Sequence, residues 1–112
     1  MTLPSPIPVD LAEMISARLR IIGDPTRIRI LDLLRDDELS VTQLTERLET
    51  SQQNASKHLG MLLQAGIVAR RKDGNSSIYS IADRGVYELC EQVCGGLQLQ
   101  LTELTALVQG TP

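Results

Sequence analysis

Aromatic side chains are almost missing from this chain, which has two Tyr, no Phe and no Trp in 112 residues. Proteins that read RNA or single strands by stacking bases depend on such rings, so that class is not expected. Histidine occurs once, at His58. With no Gly-rich phosphate loop and no nucleophile paired to a base, nothing supports an enzyme. Long apolar runs are lacking too, and none reaches the ~20 residues that a membrane span requires. The opening Met1–Val9 has neither a basic leader nor the apolar core of a secretory signal. A cytoplasmic protein with no membrane partner is expected, its two cysteines, Cys90 and Cys94, reduced.

What is present is unevenly charged. The net charge is −3, yet residues 51–81 hold four cations against one acid, a net +3, which leaves −6 on the remainder. A basic segment inside an acidic chain marks where an anionic partner would bind.

Three prolines make residues 1–9 an irregular arm. Asp10 is placed to cap a first helix over 11–22, where Leu11, Met14, Ile15, Leu19 and Ile22 recur at helical spacing. Gly23-Asp24-Pro25 ends it and opens a second helix over about 25–36, with Asp24 as cap and Pro25 at the first helical position. Ile28, Ile30, Leu31, Leu33 and Leu34 make this second helix a central core element. Arg27 and Arg29 read as solvated charges, with a phosphate contact as the alternative. Ser40 and Gln43 have capping-box spacing for a third helix ending near Leu48.

Ser51 and Gly66 bracket a fourth helix, roughly 52–65. Ala55, Leu59, Leu62 and Leu63 form its core stripe, and Gln53, Ser56, Lys57, Gly60 and Gln64 lie opposite, with Asn54 and His58 on the flank. That outer face has no acid. Amides and a hydroxyl suit base edges, an amine suits phosphate, and Gly permits close approach to a groove. Two short runs follow, Ile67–Lys72 and Ser77–Ile81, joined by Asp73-Gly74-Asn75-Ser76, which is hairpin-turn chemistry. Arg70, Arg71 and Lys72 precede the turn. The candidate contacts to double-stranded DNA are therefore Gln52, Gln53, Asn54, Ser56, Lys57 and His58 in the helix and Arg70, Arg71 and Lys72 in the hairpin.

Asp83 is placed to cap a last helix over 84–108, along which Val86, Cys90, Val93, Leu97, Leu101, Leu104 and Val108 draw an apolar seam. The expected fold is mainly α with a small β-hairpin, a winged helix-turn-helix, in which a single domain over 10–112 contains a reading unit at 40–81. The helices at 11–22 and 84–108 are expected to form a homodimer, since two copies read two half-sites where one reads too few base pairs.

Gly23-Asp24-Pro25-Thr26-Arg27-Ile28-Arg29-Ile30-Leu31, Ser56-Lys57-His58-Leu59, Ala65-Gly66-Ile67-Val68 and Asp73-Gly74 before Tyr79 resemble, in order and spacing, the ArsR/SmtB family of winged-helix repressors over roughly residues 11–97. The resemblance implies a homodimer that occupies a palindromic operator and releases it when an inducer binds. The family's arsenic and cadmium motif, Glu-Leu-Cys-Val-Cys-Asp-Leu, is matched by Glu38-Leu39-Ser40-Val41-Thr42-Gln43-Leu44, which has neither thiol. Of its zinc site in the last helix, Asp83 matches the first ligand, but Gly85 stands where the first His belongs and no later His follows. A standard zinc site is not expected.

Cys90 and Cys94 remain, one turn apart. As a metal or redox pair they would take arsenite, a soft metal ion or an oxidant; alternatively they are core thiols. The expected function is a sequence-specific repressor released by a thiol-reactive inducer. Two other readings stand beside it: a winged-helix module that binds protein, and an inducer-independent DNA binder with structural cysteines.

Overall fold

The computed structural model describes residues 2–110, so Met1 in the arm and Thr111 and Pro112 at the end of the 10–112 domain lie outside the described residues. Eight elements follow one another: α1 (Val9–Ile22), α2 (Pro25–Leu33), β1 (Leu39–Ser40), α3 (Val41–Leu48), α4 (Gln52–Gln64), β2 (Val68–Asp73), β3 (Ser76–Ile81) and α5 (Gly85–Val108).

The helix starts arise from local chemistry. The Asp24 carboxylate accepts the Arg27 N–H at 3.1 Å, with Pro25 at the first helical position. At Ser40 the capping box is complete: its hydroxyl accepts from the Gln43 N–H at 3.1 Å, and its own N–H donates to Gln43 Oε1 at 2.9 Å. Ser51 accepts the Asn54 N–H at 3.1 Å. Each side-chain oxygen satisfies an amide that the first helical turn leaves unpaired. Between α3 and α4 the backbone turns through Glu49 in the left-handed region (φ 54°).

The sheet is antiparallel with order β1-β3-β2. Gly74, at φ 63°, makes the tight turn between β2 and β3, which pair from Val68↔Ile81 to Asp73↔Ser76. Beneath the sheet, α2, α3 and α4 enclose a core in which Ile30, Leu31, Leu44, Leu59, Leu62, Ile67 and Val68 are fully buried. The first turns of α5 join it through Val86 and through Tyr87, whose hydroxyl donates to the Leu31 carbonyl at 2.8 Å while Arg35 stacks on its ring at 4.8 Å. From residue 91 to 108 only Ala106 is even partly covered.

Several boundaries differ from expectation. Helix α1 begins at Val9 with Pro8 at the N-cap, and Asp10 lies within its first turn instead of capping it. Helix α2 ends at Leu33, before Asp36. Strand β1 was not foreseen; two residues, Leu39 and Ser40, gain strand geometry by pairing with Tyr79 and Ile78, a partnership set by tertiary contact alone.

Candidate nucleic-acid interface

Helix α4 separates its two faces cleanly. Ala55, His58, Leu59 and Leu62 are buried, whereas Gln52, Gln53, Ser56, Lys57, Gly60 and Gln64 are exposed. The outer face carries amide, hydroxyl and amine groups, with space beside Gly60, where a Cβ would meet nothing within 4 Å. Asn54 is half-buried, and its amide donates to Thr50 Oγ1 at 3.0 Å, which steadies the short link before the helix.

His58 does not join this surface. It is 9% exposed, and its Nδ1 lies 2.9 Å from Arg27 Nη1. The expectation of a flanking contact is corrected by helical geometry: His58 stands three residues after Ala55 and four before Leu62, on the core side. The reading of Arg27 as solvated is corrected with it. Arg27 is 8% exposed and donates to the carbonyls of Ile21 and Arg20 and to Met61 Sδ, as well as to His58. Nothing in the periodicity of α2 flags Arg27; its signal was the pairing of a chain's only imidazole with an Arg just inside a capped helix.

In the hairpin, Arg70, Arg71 and Lys72 are all exposed. Strand alternation puts Arg70 and Lys72 on one face and Arg71 on the other. Arg71 Nε donates to Glu38 Oε2 at 3.1 Å, tying the wing to the segment before β1. Arg70 and Lys72 have no ion pair among the described residues.

Cys90 is half-buried and Cys94 exposed, and both are free thiols. They line one groove of about 330 Å³ with Leu19, Ile22, Ile28 and Leu97, bounded by α1, α2 and α5. Ile28, expected in the core, is 42% exposed along it. Asp83 is engaged elsewhere: Arg18 Nη2 donates to its Oδ2 at 2.6 Å and the Gly85 N–H to its Oδ1 at 2.9 Å. The Arg18 bond is the main reason its carboxyl sits below the usual carboxylate range. Among the described residues no three His, Cys, Asp or Glu side chains gather as a metal site, and no helix is long and apolar enough to cross a membrane.

A family profile described as "Helix-turn-helix domain" matches residues 22–71. The uncharacterized HTH-type transcriptional regulator Rv0081 of Mycobacterium tuberculosis is 48% identical over 71 residues, covering 61% of this chain and 60% of its own length. Its crystal structure superposes with a TM-score of 0.76 at 36% identity, covering 86% of this chain and 97% of the other. The arsenical resistance operon repressor of Staphylococcus xylosus is 37% identical over 67 residues, covering 60% of this chain and 64% of that protein. The homodimeric winged helix-turn-helix DNA-binding domain Mb0332 of Mycobacterium bovis matches with a TM-score of 0.71 at 26% identity, over 84% of this chain and 87% of that one.

A capped helix pair, a polar outer helix and a three-stranded sheet with a basic hairpin define a winged helix-turn-helix regulator. This chain belongs to the ArsR/SmtB family, which consists of transcriptional regulators and not of enzymes.

Proposed function

We propose that the chain is a homodimeric repressor that holds a palindromic operator in double-stranded DNA and releases it when a thiol-reactive inducer reaches Cys90 and Cys94. The observation that carries the DNA reading is the exposed α4 face, Gln52, Gln53, Ser56, Lys57 and Gly60, which has no acidic residue. Gln53 suits adenine, so half-sites contain A·T pairs; Asn54 joins it only by giving up its bond to Thr50. Arg70 and Lys72 grip phosphate, and Arg71 joins them by exchanging Glu38 for the backbone. Two copies paired through α1 and α5 set two α4 helices about one DNA turn apart. This reading places the protein in the cytoplasm with its operator.

What supports the thiol reading is that both sulfurs border one apolar groove. Within a helix, Cβ atoms four residues apart are about 5–6 Å from one another, wider than the ~3.5–4.5 Å a disulfide spans. Oxidation therefore joins Cys90 or Cys94 to a partner's thiol or an external one, or else distorts α5. Arsenite or a soft metal ion would bridge thiolates of the two copies.

Fluorescence anisotropy on a selected palindrome tests this. Gln53→Ala is expected to change sequence preference, and Arg70→Ala to weaken all sequences about equally, with a shallower salt dependence. Equal loss in both would end the division of roles, and salt-independent or absent binding would favour a protein-binding module. Arsenite, soft metals or oxidants release the wild type but not Cys90→Ser/Cys94→Ser. Failure of all three to release the wild type leaves a DNA binder with structural cysteines.

A further inference from the structure

The groove that carries both thiols is apolar throughout. Leu19 and Ile22 from the end of α1, Ile28 from α2, and Val93 and Leu97 from α5 supply its walls, and Cys90 and Cys94 border it. Among the described residues that line it, no side chain is charged or bears nitrogen or oxygen. Its volume of about 330 Å³ lies at the small end of ligand sites, which run from ~300 to ~1,000 Å³. Leu19, Ile28, Val93 and Leu97 are between 42% and 61% exposed, so a guest reaches the walls without unfolding anything. The seam assigned to a second copy continues through Leu101, Leu104 and Val108, none of which lines the groove.

The walls and the sulfurs together narrow the class of guest. A charged molecule would exchange its hydration for surfaces that return neither a hydrogen bond nor an opposite charge. A soft metal ion seeks up to four ligands, whereas one copy offers two sulfurs, with no third His, Cys, Asp or Glu gathered beside them among the described residues. An oxidant leaves a sulfenic acid that needs a second thiol, and Cys90 and Cys94 stand one turn apart on a single helix, too wide for a disulfide. Addition to an activated double bond has none of these requirements. One thiolate attacks the β-carbon, a C–S bond forms as the C=C π bond breaks, and the α-carbon takes a proton from water in place of the one the thiol gave up. No oxidant or reductant is consumed, and nothing leaves.

We propose that the inducer is an uncharged, apolar α,β-unsaturated carbonyl compound, which the groove admits and Cys90 or Cys94 captures covalently. At ~30 Å³ for each water displaced, its size is roughly ten non-hydrogen atoms. The inference rests on the repressor reading above and narrows its inducer to one class. Once bound, the guest wedges α5 away from α1 and α2, two of the helices that pack on the recognition helix α4.

Two reagents with one reactive ring make the test. N-phenylmaleimide ends in an apolar ring and N-(2-carboxyethyl)maleimide in a carboxylate, and mass spectrometry gives the rate at which each adds to each cysteine. The ratio of the apolar rate to the anionic rate is expected to be about tenfold higher for the folded protein than for the urea-unfolded chain, because a ring that buries its surface gains over one left in water. Ile28→Glu puts a carboxylate in the wall and is expected to remove that preference, whereas Leu99→Glu, on the thiol-bearing helix but outside the groove, leaves it. In fluorescence anisotropy the phenylmaleimide adduct is expected to bind operator about 5- to 150-fold more weakly than the unmodified protein, the ordinary range of coupling between two sites, and Cys90→Ser/Cys94→Ser to be unaffected by the reagent. The same ratio in folded and unfolded protein, folded thiols that do not react because a second copy seals the groove, or an adduct with full operator affinity overturns the inference. An unmodified protein that binds no duplex defeats the repressor reading instead, and the rate ratio still decides whether the groove selects apolar guests.

Discussion

Helices α4 and α5 have comparable apolar periodicity in sequence and opposite fates in the structure. In α4, 13 residues long, Ala55, Leu59 and Leu62 of the stripe are sealed against α2, α3 and β2, with Leu63 half-buried beside them. In α5, 24 residues long, only Val86 is buried, and Val93, Leu97, Leu101 and Leu104 are more than half exposed. A helix of that length extends about 36 Å, past the end of the core, and the molecule measures 61 × 39 × 22 Å. Periodicity announces that a face will be covered without saying whether the same chain covers it. For α5 the covering surface belongs, in our reading, to a second copy.

The contrast is broken most strongly from the α4 side. Leu59 is fully buried, so Leu59→Ala is expected to cost about 2–5 kcal/mol of folding stability, as large-to-small core changes do. Urea denaturation measures it; a loss under about 1 kcal/mol would mean that the α4 stripe is not a true core. On the α5 side the opposite pattern is expected. Leu97→Glu with Leu101→Glu leaves the helical signal in circular dichroism nearly intact, converts a dimer to a monomer by light scattering, and lowers operator affinity on the order of 100-fold as bivalent binding is lost. Retention of the dimer would move the interface elsewhere.

Smaller effects are expected at the two helix starts. Ser51→Ala removes the side-chain acceptor of the Asn54 N–H and is expected to cost about 1 kcal/mol, read from the thermal midpoint. Helix α5 has no such cap on its Arg84 N-cap residue; there Asp83 is held by Arg18, with both side chains more than a third exposed. Asp83→Asn is therefore expected to cost below about 1 kcal/mol at neutral pH. The sign with pH follows from the lowered carboxyl. A group that holds its proton less tightly when folded stabilises above its unfolded value, near 3.8 here, and that contribution disappears as pH falls through the folded value. The wild type should lose its advantage over Asp83→Asn toward pH 3; an advantage that persists there would exclude the ion pair as its source.

Much of the reading unit was legible because its signals are local. Ser40 with Gln43, Ser51 with Gly66, and Asp73-Gly74 each act within a few residues, and all three appear where spacing put them. Less legible were features created by distant neighbours. Strand β1 exists because β3, some 40 residues on, presents Tyr79 and Ile78 to it. Arg27 and His58 meet across 31 residues; spacing from Ala55 and Leu62 puts His58 on the core side of α4, but nothing local to either helix names its partner. Asp83 looked like an N-cap and does accept the Gly85 N–H, but its stronger partner, Arg18, lies 65 residues away.

The clasp between Arg71 and Glu38 bears on how contacts would be tallied in solution. In the DNA-bound form proposed above, Arg71 would arrive at a phosphate by abandoning a carboxylate, which would then regather small cations from the buffer as the duplex sheds them. The ions released on complex formation fall short of the phosphates neutralised, by up to about one per copy. A titration against potassium chloride would then understate how far the hairpin reaches along the strand, and deleting the Glu38 carboxylate is expected to restore the missing ion.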